Sequence, residues 1–241
     1  MSQYYLELQS IDAESSTDPK DIGRTFLGAL DRLNRIDPVF SDWTLVDWPG
    51  QAIVSLKDAR RDIAALVEKN IVRDKRDEPI VEEGYHVIAC NTLVVDSRTA
   101  TLSAKLGGAT NRWTLSIGVD DVVPDDSILT SSIVRPAFLA LISVWPTPWA
   151  RVVALKVKDP TQPSPRDDLP KRLTWIGYLS ADWARGVAAP GGIRSERTSD
   201  GGMLLTATAD RPDPTKPDEM RLCGVLAAFM DKNYRDPWLP R

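Results

Sequence analysis

Between residues 85 and 119 three consecutive runs read as strands, the last two with apolar side chains at every second position. Residues 85–95 and 99–106 make the first two, and Gly107-Gly108 supplies a turn. Trp113, Leu115, Ile117 and Val119 then alternate with Thr114, Ser116 and Gly118. Alternation of this kind marks a strand with one buried face. Three such strands with short connections predict an antiparallel meander. Its buried face has to be covered by a second layer.

Helical spacing on either side supplies that layer. Asp18-Pro19 opens a helix in which Ile22, Phe26, Leu30 and Leu33 form one apolar face, and Asp37-Pro38 stops it. Ser55 with Asp58 has the form of an N-cap followed by an acid in the first turn, backed by Ile63, Leu66, Val67 and Ile71. Pro136 is placed as the first residue of a third helix, burying Phe138, Leu139, Ile142 and Trp145. Leu222, Val225, Leu226 and Phe229 predict a closing helix. Further strands are expected around Tyr4, Leu6 and Leu8, between residues 41 and 55 about a Pro49-Gly50 turn, and at 175–179. Another follows the corner Trp145-Pro146-Thr147-Pro148-Trp149, with Val153, Leu155 and Val157 on one face. Residues 193–198 and 203–209 read as a hairpin across Ser199-Asp200-Gly201-Gly202. Residues 73–83 form a polar connector, and 159–170, with four prolines, an exposed loop. The predicted class is α+β: a largely antiparallel β-sheet with about four helices packed against it, in a single domain of residues 1–241.

Composition removes several classes of function. At 241 residues and 42% hydrophobic, without a biased tract, the chain is neither mainly disordered nor fibrous. No apolar run reaches the roughly 18 residues of a membrane span. Met1-Ser2-Gln3-Tyr4-Tyr5 has no basic start and no apolar core behind it, so no cleaved signal is expected. Cys90 and Cys223 are too few for a disulfide framework, which fits a reducing cytoplasm. The net charge of -4 argues against a general nucleic-acid binder, which needs a basic stripe.

Catalytic signatures are scarce. His86 is the one histidine, within a predicted strand, so any nucleophile needing an imidazole base would have to use it. A zinc site from one histidine and two distant cysteines lacks the clustered pairs of structural zinc. The glycine pairs at 107, 191 and 201 lack the continuation of a phosphate loop and read as turns. Neither a cofactor nor a metal is expected. Asp120, Asp121, Asp125 and Asp126 are the only charged residues between Arg112 and Arg135, so this loop carries the net charge of the whole protein. It is either a solvated surface loop or a patch that steers a basic partner. Eight tryptophans are a second unusual feature, since tryptophan is enriched at binding hot spots. Trp43 and Trp48, beside Asp42, Asp47 and Pro49, lie in a segment too polar to be wholly buried. The expected interface therefore comprises Trp43, Asp47, Trp48, Asp120, Asp121, Asp125 and Asp126.

The order of these landmarks resembles a known family. Trp43-Thr44-Leu45-Val46-Asp47, Ser55-Leu56-Lys57-Asp58-Ala59 opening a helix, and Gly84-Tyr85 entering a strand are arranged as in the immunity protein 52 family of bacterial polymorphic-toxin systems. Trp145 and Trp149 resemble its W-x-x-x-W corner. Trp175-Ile176-Gly177-Tyr178-Leu179 resembles its W-x-x-Y-L strand, with Thr174 where that family has glycine. The resemblance runs from Trp43 to Phe229. It implies a cytoplasmic, non-enzymatic immunity protein that binds and silences a cognate toxin. Such a toxin is typically a restriction-endonuclease-type nuclease, often delivered by a type VI secretion system. A nuclease must attract phosphate and so presents a basic face, which an acidic binder can cover. Two other readings stay open. One is a carboxylate or metal-dependent hydrolase built on the four aspartates, which requires them to converge in a cleft. The other is an adaptor that loads an effector onto secretion machinery.

Overall fold

The structure is a computed structural model and describes residues 4–11, 13–47, 52–94, 96–118, 125–156 and 173–234. The expectations for Trp48, Pro49, Gly50, Val95, Val119, Asp120, Asp121, Val157, the 159–170 segment and the side chain of Leu155 lie outside the described residues. In chain order the elements are β1 (Tyr4–Ile11), α1 (Pro19–Asn34), β2 (Thr44–Asp47), β3 (Ala52–Ser55), α2 (Leu56–Ala59) and α3 (Ile63–Lys69). Then come β4 (Tyr85–Cys90), β5 (Ala100–Leu106), β6 (Arg112–Ile117) and α4 (Ser131–Val144). The chain ends with β7 (Trp149–Lys156), β8 (Leu173–Leu179), β9 (Arg194–Arg197), β10 (Met203–Thr206) and α5 (Pro217–Lys232).

The ten strands form one sheet in the order β3-β2-β4-β5-β6-β1-β7-β8-β10-β9. Every pairing between neighbouring strands is antiparallel. The meander is present as β4-β5-β6, and the hairpin as β9-β10 with Leu205 opposite Ser195. The N-terminal strand fills the centre: Leu8 of β1 lies opposite Leu115 of β6 on one side and Val152 of β7 on the other.

Local chemistry explains most boundaries. Asp18 caps α1, its carboxylate accepting from Lys20 N at 2.9 Å. Ser55 caps α2, accepting from Asp58 N at 3.1 Å. The single helix expected behind Ser55 is broken: α2 ends at Ala59, and Asp62 restarts the chain as the cap of α3, accepting from Ala65 N at 3.1 Å. Five helices therefore pack among the described residues where about four were predicted. The strand predicted over 85–95 stops at Cys90 because Asn91 turns the chain, its amide donating to Val39 O and Arg98 O, both at 2.8 Å. Pro136 does not begin α4. Val134 N already donates to Thr130 O at 2.9 Å, so the proline lies inside the helix. Ile133 and Val134 are buried, and seating them a turn earlier outweighs the hydrogen bond that Pro136 cannot make.

Side chains opposite one another in antiparallel register share a face. One face of the sheet carries Leu8, Leu45, Ala89, Leu102, Leu115 and Val152 in a single row, all fully buried. Phe26 and Leu30 of α1 and Phe138 of α4 close the same core. Trp145 tilts against Phe26 with ring centroids 6.0 Å apart. The second face is treated differently at its two ends. Over β7, β8 and β10, a separate apolar cluster joins Trp149, Leu179 and Leu205 to Cys223, Leu226 and Met230 of α5. Trp149 Nε1 donates to Met230 O at 3.1 Å, and buried Arg151 pairs with Asp231 at 2.8 Å, which ties the helix down.

Candidate interaction surface

On that second face, beyond α5, the strands present half-exposed polar side chains. The register aligns Ile88, Ser103, Thr114 and Gln9 in one row and Cys90, Thr101, Ser116 and Glu7 in the next. His86, Lys105 and Arg112 make a third row. A sheet face of this size left polar is available to a partner. Its two ends differ in chemistry.

At one end of β4, β5 and β6 lie the described residues between Asn91 and Thr99, together with Asp125 and Asp126. Leu93 and Val94 project into solvent there, 60% and 76% exposed. Asp125 lies beside this turn, its N–H donating to Ser97 O at 2.8 Å. The Asp125 carboxylate accepts from Ser127 N at 2.9 Å, and its bonds to Ser127 hold its pKa below the usual carboxylate range. Asp126 is exposed and paired with Arg211. Nothing local in the sequence marks this apolar tip as functional, since residues 85–95 read there as one strand.

The other expected interface residues are placed as follows. Trp43, expected to stay partly exposed, is 2% exposed and stacks on Phe40 with centroids 6.4 Å apart. Asp42 in the left-handed region (φ 56°) turns the chain so that the ring points inward while the neighbouring acid stays in solvent. Asp47 lies at the opposite end of β2, half-buried and 4.0 Å from Lys69. The structure thus brings Trp43, Asp125 and Asp126 to one end of the sheet and puts Asp47 at the other.

At that other end a depression of about 530 Å³ is lined by Glu7, Gln9, His86, Ser103, Lys105 and Arg112, among others. His86 Nε2 lies 2.8 Å from Ser103 Oγ. Burial, and then the Arg112 charge, hold the His86 pKa below its ordinary value, so the ring is neutral near pH 7. A hydroxyl at this distance from an imidazole has the spacing of a nucleophile and its base. Ser103 lies in the interior of β5, however, between β4 and β6, and the backbone N–H groups around it are spent on the ladder. The cations available to an oxyanion there are the side chains of Lys105 and Arg112. Neither Asp125 nor Asp126 lines this depression. Among the described residues, no cluster of His, Cys, Asp and Glu could hold a metal ion. Nor is any described helix long and apolar enough to cross a membrane.

The family model described as Immunity protein 52 matches residues 13–233 of the chain. No curated protein matches. Among solved structures, a T6SS protein of Pseudomonas aeruginosa superposes with a TM-score of 0.51 at 13% sequence identity. The alignment covers 95% of this chain and 73% of that one, a likeness of fold.

Proposed function

We propose, for a chain that belongs to the immunity protein 52 family, that it binds and neutralises a cognate secreted toxin by direct contact in the cytoplasm of the cell that makes it. The match over residues 13–233 carries this reading. The toxin is proposed to be a restriction-endonuclease-type nuclease, delivered by a type VI secretion system. The likeness to a T6SS protein agrees with that setting, and the acidic loop agrees with a basic, phosphate-attracting target. Inhibition then consists of covering the toxin, with no turnover. Of the expected contacts, Asp120, Asp121, Asp125 and Asp126 are proposed to meet the toxin, and Leu93 and Val94, exposed on the turn whose Ser97 O accepts from Asp125 N, would supply apolar area. Trp43 supports this end from inside the fold.

Co-expression tests the reading. The toxin encoded beside this gene should cease to kill when this protein is present, and the two should co-purify. Neither rescue nor co-purification would remove the proposal. An effector-loading adaptor would instead bind a translocation segment. Capture of the isolated nuclease domain distinguishes the two.

A further inference from the structure

Arg112, Lys105 and His86 stand side by side across β6, β5 and β4, at the floor of the depression. The two cations, Arg112 and Lys105, are answered unequally. Lys105 is paired with Glu83. Gln9, with its amide turned so that Oε1 accepts from Arg151 Nε at 2.7 Å, donates to Glu7 Oε1 at 3.2 Å. Arg112 is exposed and has no carboxylate within ion-pair distance among the described residues. Its field reaches both neighbours, because it lowers the pKa of Lys105 as well as that of His86, in each case after burial. Glu83 already answers Lys105 and Glu7 also lines the depression, so the open donor edge of the site is that of Arg112. A guanidinium there offers a paired donor edge that fits a carboxylate.

We propose that this depression receives a side-chain carboxylate of the toxin, held by the Arg112 guanidinium with Lys105 beside it. The inference rests on the immunity reading and deepens it. Among the described residues, this part of the sheet face then offers Asp125 and Asp126 at one end and the unpaired Arg112 guanidinium at the other. A partner with the complementary pattern binds in one orientation and is rejected in the reverse one.

The test uses the full chain and a catalytically inactivated form of the toxin encoded beside its gene. Affinity is compared for the wild type, Arg112→Glu and Arg112→Lys. Arg112→Glu is expected to weaken binding about tenfold or more, with Arg112→Lys in between. Arg112 is on the surface, so the variants should unfold at the wild-type temperature, which thermal melts check. His86 is the one histidine of the chain, so its ring signal in NMR is an unambiguous reporter. A carboxylate seated beside it should raise its titration midpoint in the complex. A complex that forms with equal affinity for all three proteins, and with an unmoved His86 titration, would overturn the inference and leave the immunity reading intact. No complex with any of them would overturn both.

Discussion

Gly84 and Gly177 lack a side chain for different reasons, and the difference is measurable. Gly84 has φ 70°, and a Cβ built there would collide with the backbone at Leu106 and lie 2.5 Å from Gly108 N. Neither obstacle can rotate away. At Gly177, on β8 under α5, the obstacle is Met230 Sδ at 2.6 Å, the end of a flexible side chain. Gly84→Ala is expected to cost roughly 3 kcal/mol or more, from left-handed strain and displaced backbone together. Gly177→Ala should cost about 1–3 kcal/mol, as for moderate overpacking. Urea denaturation of the two variants checks the order. His86 makes a pH-dependent contribution of definite sign. Its folded-state pKa lies below the ordinary 6.5, so the unfolded chain binds the extra proton first. Stability therefore falls as the pH drops through 6.5 toward the lowered value, and is unaffected by this group above it. Thermal melts between about pH 7.5 and about pH 5 should decline less steeply for His86→Gln than for the wild type. Equal slopes would mean the ring titrates alike in both states.

At the scale of elements, burial repeatedly overrides punctuation. The chain tolerates Pro136 five residues into α4 because Ile133, Val134, Ala137 and Phe138 all go into the core. The side chain of Pro136 itself is exposed, and the ring removes the donor that would reach Ser132 O. Pro136→Ala should therefore raise stability by about 1–3 kcal/mol, read from the denaturation midpoint. Destabilisation instead would show that a kink at this point is needed for packing. The reverse case is the break between α2 and α3. A continuous apolar stripe predicted one helix, yet Asp62 with an extended φ of -149° splits it, and its cap compensates for the interruption. The W-x-x-x-W corner also resolves into separate tasks. Trp145 fills the main core against Phe26, while Trp149 anchors α5 through Met230 O and lies 4.9 Å beneath the Arg151 guanidinium.

For the whole molecule the decisive asymmetry is that helices cover one face of the sheet while, among the described residues, α5 covers the second face at one end only. If the acidic end steers a basic toxin, replacing Asp120, Asp121, Asp125 and Asp126 by Lys should slow association about tenfold or more at low salt and flatten its salt dependence. Stopped-flow mixing at two ionic strengths reads this, and unchanged rates would place the contact elsewhere. Loss of the exposed Asp126–Arg211 pair should cost little, so the stability cost should come mainly from the Asp125 bond to Ser127 N. The sequence by itself determined the α+β class, the meander, the C-terminal hairpin, the caps at Asp18 and Ser55, and the family resemblance. These depend on periodicities and hydrogen bonds that reach only a few residues along the chain. It could not reveal that β1 lies between β6 and β7, that Trp43 is buried, or that His86, Lys105 and Arg112 share one depression. Leu6 opposite Ile117 and Arg112 beside Lys105 and His86 are neighbours only through strand pairing. Only the tertiary structure decided them, since pairing is settled by burial summed over the whole sheet, and no local pattern encodes that sum.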